Sequence, residues 1–195
     1  MPRASKSTEQ IIKEAAASFP VFATYLWDYL KLPSPTPVQY QVADYLQNGP
    51  NRRIIMAYRG CGKSFLTAGY VLWRLRRDPN CKVLVISAAQ DRADAFSVFC
   101  HDLLRNWFMV KDLFPSDTQR FSKEFDSVIK PGGEIVFLGT PHTQDSVYAK
   151  LEASGYEVRI WPALYPTNKK FKDYYGDRLA PKIKADLETD KTLAG

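Results

Sequence analysis

The sequence predicts an α/β fold, a mostly parallel sheet with helices on both faces. Three observations lead there. Arg52 to Met56 reads as a strand that runs through Ala57-Tyr58-Arg59-Gly60-Cys61-Gly62-Lys63-Ser64 into a helix-like segment from Phe65 to Arg77. Lys82-Val83-Leu84-Val85-Ile86-Ser87 is a continuous apolar run rich in branched residues, as expected of a strand buried on both faces. Two later strands, Glu134 to Leu138 and Tyr156 to Trp161, again alternate with helical segments, the pattern of parallel strands joined by helical crossovers.

The elements follow in order. Ser7 with Gln10 three residues on predicts a capped helix through Ile11, Ile12 and the alanines. Phe19-Pro20 is expected to interrupt it, with a second helix from Val21 to Leu32 carrying an aromatic packing face. Pro33, Pro35 and Pro37 force an extended connection, and Thr36 and Pro37 stand as cap and first residue of a third helix. Asn48-Gly49-Pro50 ends that helix before the strand at 52–56. The helix after Lys63 closes on Arg74, Arg76 and Arg77 with a proline stop at Pro79. Gln90 to Val110 reads as one long amphipathic helix. Short helices are expected at 122–129 and 182–187, and another from Thr143 to Ser154, stopped by Gly155.

The chemistry concentrates at residues 57–64. A strand, a small-residue loop ending Gly-Lys-Ser and a helix form the phosphate-binding loop arrangement. Backbone N–H groups of such a loop point at phosphate oxygens, and the helix dipole favours negative charge there. Lys63 would reach the β and γ phosphates, and the Ser64 hydroxyl would ligate Mg²⁺. The first glycine of the usual GxxxxGK[ST] pattern is Ala57 here, which fits a strand end if φ is negative. Gln39 carries a donor and an acceptor that match the N6 and N7 edge of adenine; a solvent-facing helix glutamine is the alternative.

The totals narrow the classes. The 195 residues suffice for one domain with a real core, and 45% apolar content argues against disorder. A net charge of +6 permits nucleic-acid contact without requiring it. Cys61, Cys81 and Cys100 show no CxxC pairing and read as reduced thiols, not as a metal site. The polar first ten residues and the lack of an 18-residue apolar run predict neither a secretory signal nor a membrane span, and so a cytoplasmic chain. His101 and His142 have no neighbours that suggest catalysis.

Four features together carry a resemblance. They are the phosphate loop with Arg59 inside it, the upstream Pro35-Thr36-Pro37-Val38-Gln39, the strand end Leu138-Gly139-Thr140-Pro141, and Tyr175-Gly176-Asp177-Arg178-Leu179-Ala180-Pro181. In this order they resemble the large terminase subunit of tailed phages, particularly the short-tailed podovirus type, from about residue 20 onward. The resemblance implies a RecA-like ATPase that uses ATP and Mg²⁺ to pump double-stranded DNA into a procapsid. It implies a nucleotide site built from Gln39, Ala57, Tyr58, Arg59, Gly60, Cys61, Gly62, Lys63 and Ser64. Arg59, Lys63 and Thr140 would be the catalytic set: Arg59 senses or stabilises the γ-phosphate, and Gly139-Thr140-Pro141 couples its state to the DNA-gripping parts. The implied partners are the portal protein, the small terminase subunit and further copies in a ring on the portal. The implied place is the cytoplasm of the infected bacterium. Residues 1–35 would be a helical extension, 36–165 the ATPase core, and 166–195 a segment leading towards a nuclease domain.

Two departures qualify that expectation. The family's acidic (Walker B) strand, with a carboxylate that holds Mg²⁺ through water and another that orients the attacking water, has no counterpart between Ser87 and Glu134. Glu124, Asp126 and Glu134 do not end apolar runs and read as solvated surface. The expectation is that several tens of residues of the relatives are absent, that strand among them. The metal-binding aspartates of the relatives' nuclease domain are also not found before Gly195. The sequence therefore leaves open a packaging ATPase, a nucleotide-binding protein without hydrolysis, and another phosphate-loop enzyme such as a helicase or nucleotide kinase.

Overall fold

The computed structural model describes residues 7–83, 90–113, 133–139, 147–162 and 176–181. They fall into two compact units, one of residues 1–47 and 64–128, the other of residues 48–63 and 129–195.

The described part of the first unit is helical. Helix α1 (Thr8–Ala17) starts with the expected capping box, Ser7 accepting from the Gln10 N–H while the Gln10 side chain accepts from Ser7. Helix α2 (Phe19–Tyr29) begins two residues earlier than the sequence suggests. Pro20 stands in the first turn, where no helical N–H is required of it, so it starts this helix and the break lies at Ser18. Helix α3 (Pro37–Asn48) opens behind Thr36 as expected. Helix α4 (Lys63–Arg77) follows the loop at 58–62, and helix α5 (Gln90–Asn106) ends four residues before the expected point. The core is aromatic: Phe19 meets Tyr70 and Trp73, and Phe22 meets Trp107 edge-on at 4.8 Å. Gly69 admits this packing, since a Cβ there would sit 2.8 Å from Leu26 Cδ2. The buried Trp73 Nε1 donates to the carbonyls of Ala15 and Ala16 at the end of α1, where Ala15 also accepts from the Ser18 N–H.

The second unit is a parallel sheet in the order β2-β1-β3, with β1 (Arg52–Ala57) between β2 (Ile135–Gly139) and β3 (Glu157–Trp161). Period-two alternation places Ile54, Met56, Phe137, Val158 and Ile160 on one face. There they pack with Tyr148 and Leu151 of α6 (Val147–Ala153) and with Tyr156. Ile55 and Ala57 point to the other face and are also fully buried, so both faces of the central strand are covered. Leu179 bridges to Ile160 in parallel, extending the sheet beyond β3 by a short step.

Of the strand expected at 82–87, Lys82 and Val83 lie in irregular backbone and the rest falls outside the described residues. The helices expected at 122–129 and 182–187 also fall outside them, as does the first part of the segment from Thr143.

Candidate nucleotide site

Strand β1 has every residue from Arg53 to Ala57 buried, and its chain emerges at the carboxyl edge of the sheet as the loop 58–62. Parallel sheets bind ligands at this edge. Gly60 and Gly62 have φ of 90° and 82°, values that favour glycine, and they let the chain reverse from strand into α4 within a few residues. Ala57 is not at positive φ, which among the described non-glycine residues occurs only at Lys31, so alanine fits its place as expected. A Cβ on Gly60 would meet nothing within 4 Å, so the crest of the loop faces open space.

Lys63 folds back along the loop. Its ammonium donates to the Ala57 carbonyl at 2.5 Å and to the Tyr58 carbonyl at 2.8 Å. Burial holds its pKa below the ordinary lysine value; the nearby Cys61 acts against this and the Arg59 charge adds to it. Cys61 is buried inside the loop, and burial raises its thiol pKa, with the Lys63 charge and backbone N–H pulling the other way. Arg59 and Ser64 are exposed. The first turn of α4 contains no acidic residue and begins on a lysine. That is the wrong sign for a helix N-terminus, whose partial positive charge favours an anion. Arg59 and Lys63 thus put two cations on one short loop, an arrangement that a phosphate would stabilise.

The register brings a second predicted segment to the same place. Met56 pairs with Gly139, so β2 ends level with the start of the loop. Ala57 pairs with Trp161 on the other side, and the Tyr58 N–H donates to the Trp161 carbonyl at 3.3 Å. Thr140 lies just outside the described residues. The Gly176–Arg178 turn lies against β3: Arg159 donates to the Asp177 carbonyl at 2.9 Å, and Ala180 N–H donates to Ile160.

Gln39 belongs to the first unit and has a local role. Its Oε1 accepts from the Thr36 N–H at 2.7 Å while Thr36 Oγ1 accepts from the Gln39 N–H, a capping box at the start of α3. Glu134 is a correction. It does not stand free in solvent but pairs with Arg53, itself 1% exposed, at the amino end of β1 and β2, the edge opposite the loop. No group of three or more His, Cys, Asp and Glu among the described residues could hold a metal ion. Sequence reasoning missed Tyr148, whose ring lies on Gly139; aromatic spacing alone gives no cue to it.

These features define an α/β protein with an open parallel sheet, compatible with a RecA-like core, whose central strand turns through a glycine-containing loop into a helix. Comparison with known proteins then points to one family. The chain is 30% identical over 249 aligned residues, 96% of its own length, to the large terminase subunit of Enterobacteria phage T3. The resemblance read from the motifs is thereby shown: over nearly its whole length this chain is similar to a large terminase subunit of a podovirus. It spans 42% of that relative's length. An alignment of 249 positions against a chain of 195 residues leaves more than fifty positions of the relative opposite gaps. No family model matches the chain.

Proposed function

We propose that residues 57–64 bind the phosphates of Mg-ATP and that the chain is the nucleotide-binding part of a packaging motor for double-stranded DNA. One observation carries the reading: a buried central strand passes through two positive-φ glycines into a 15-residue helix that begins on Lys63 with no acid in its first turn. In this reading Lys63 exchanges its carbonyl partners for the β and γ phosphates, and Arg59 adds charge where the γ-phosphate lies. Ser64 contributes a hydroxyl to Mg²⁺, which bridges phosphate oxygens and neutralises their charge. Thr140, next after Gly139, follows the state of the γ-phosphate. The motor would act in the cytoplasm of the infected bacterium, as a ring of copies on the portal protein, with the small terminase subunit delivering DNA. These partners follow from the likeness to the T3 protein. Among the described residues, no helix is long and apolar enough to cross a membrane.

The test is nucleotide binding by titration calorimetry. Mg-ATP should bind the chain, and Lys63→Ala should abolish that binding without unfolding the protein. Unchanged affinity in Lys63→Ala would remove the phosphate-loop reading.

A further inference from the structure

The carboxyl end of β2 carries an aromatic side chain packed directly on it. Tyr148, in the first turn of α6, lies so close on Gly139 that a Cβ there would come within 2.6 Å of its Cζ and 2.7 Å of its hydroxyl oxygen. The same hydroxyl donates to the Leu138 carbonyl at 3.2 Å. The ring also packs with Ile54, Met56, Val158 and Ile160 on the face of the sheet that α6 covers. Gly139 is in register with Met56, and one residue further on, β1 becomes the phosphate loop. Among the described residues β2 is hydrogen-bonded to a neighbouring strand on one side only. Among the described residues its carboxyl end is held beside β1 by that ladder and by Tyr148, with Phe137 against Tyr156 further back along the strand.

We infer that Tyr148 is a positioning residue for the nucleotide site. It holds the end of β2 at a fixed distance from the phosphate loop, and Gly139 is glycine because the ring needs that space. The inference rests on the phosphate-loop reading above. A strand end that frames a ligand crevice contributes to affinity only if it is held in place before the ligand arrives. The hydroxyl-to-carbonyl bond is the part of the contact that sets position along the strand, while the ring supplies packing. Losing one hydrogen bond of ordinary strength changes the ratio of held to released strand ends by about five-fold.

Tyr148→Phe keeps the ring and removes the bond. Mg-ATP affinity, measured well below the unfolding temperature, should fall, by up to about five-fold. A tyrosine with a merely structural role would leave the affinity of the folded protein unchanged. Gly139→Ala should lose most of the binding, because the methyl and the ring cannot share the space. The double variant Gly139→Ala/Tyr148→Ala should recover part of it. Should Gly139→Ala fail to fold, Tyr148→Phe decides alone. If the unaltered chain binds Mg-ATP, Lys63→Ala does not, and Tyr148→Phe binds as tightly as the unaltered chain, this inference falls while the loop reading stands. If the unaltered chain binds no nucleotide, both fall together.

Discussion

Lys63 shows how one residue's surroundings set a measurable dependence. Burial beside two backbone carbonyls lowers its pKa, and Arg59 adds like-charge repulsion. In the folded chain alone the proton is held less tightly than in the unfolded chain. Charged Lys63 therefore opposes folding slightly, and stability rises as pH climbs from the lowered pKa towards the ordinary lysine value of 10.5. Nucleotide binding runs the other way, since a phosphate favours the ammonium. Above the lowered pKa, binding must take up a proton, so Mg-ATP affinity should fall with pH, by at most about tenfold per unit. Titration from pH 7 to 10 should show the decline beginning below lysine's ordinary range. Lys63→Arg, always charged, should flatten it. A profile identical for lysine and arginine would mean that the ammonium does not meet the phosphates.

Strand β1 carries a second lesson at its amino end. Arg52 and Arg53 are adjacent, and period-two alternation sends them to opposite faces. Arg53 is the buried one. It donates to Glu134 and to the Pro50 carbonyl at 2.7 Å. Removing one partner of a buried pair leaves the other desolvated and uncompensated, a loss of about 3 to 5 kcal/mol. Glu134 is partly exposed, so Glu134→Ala should sit at the lower end, near about 3 kcal/mol in urea unfolding. A change under about 1 kcal/mol would show that water reaches the guanidinium and does the carboxylate's work. What was legible in the sequence divides along the same line. The capping box at Ser7, the Thr36-Pro37 start, the strand-to-helix turn at 58–62 and the strands at 52–57, 135–139 and 157–161 are local signals, written in neighbouring residues. The Arg53–Glu134 pair joins residues 81 apart, and nothing local tells which of two adjacent arginines turns inward. Tyr148 on Gly139 and Trp73 on the end of α1 are hidden for the same reason: each depends on the tertiary path of the chain.

For the whole molecule the question is whether binding leads to turnover. Phosphoryl transfer to water needs a charged cradle, which Lys63, Arg59 and the helix N-terminus would supply, and a group that orients the attacking water. Between Ser87 and Glu134 no run of four apolar residues ends in Asp or Glu, so the sequence offers no strand-end carboxylate there. Glu134 sits at the amino end of β2 and is committed to Arg53, away from the edge where the loop emerges. The alignment with the T3 protein leaves more than fifty of its positions opposite gaps, room enough for a strand and its connections. The chain on its own is therefore expected to bind Mg-ATP and to hydrolyse it slowly or undetectably. Phosphate release at saturating Mg-ATP, with and without double-stranded DNA, is the measurement. Turnover above about 1 per second, within the ordinary enzyme range, would mean that a water-orienting group stands elsewhere in the chain. If turnover is absent but appears when a second polypeptide bearing an apolar strand that ends in an acidic pair is added, the catalytic centre is shared between chains, with the phosphate loop on this one.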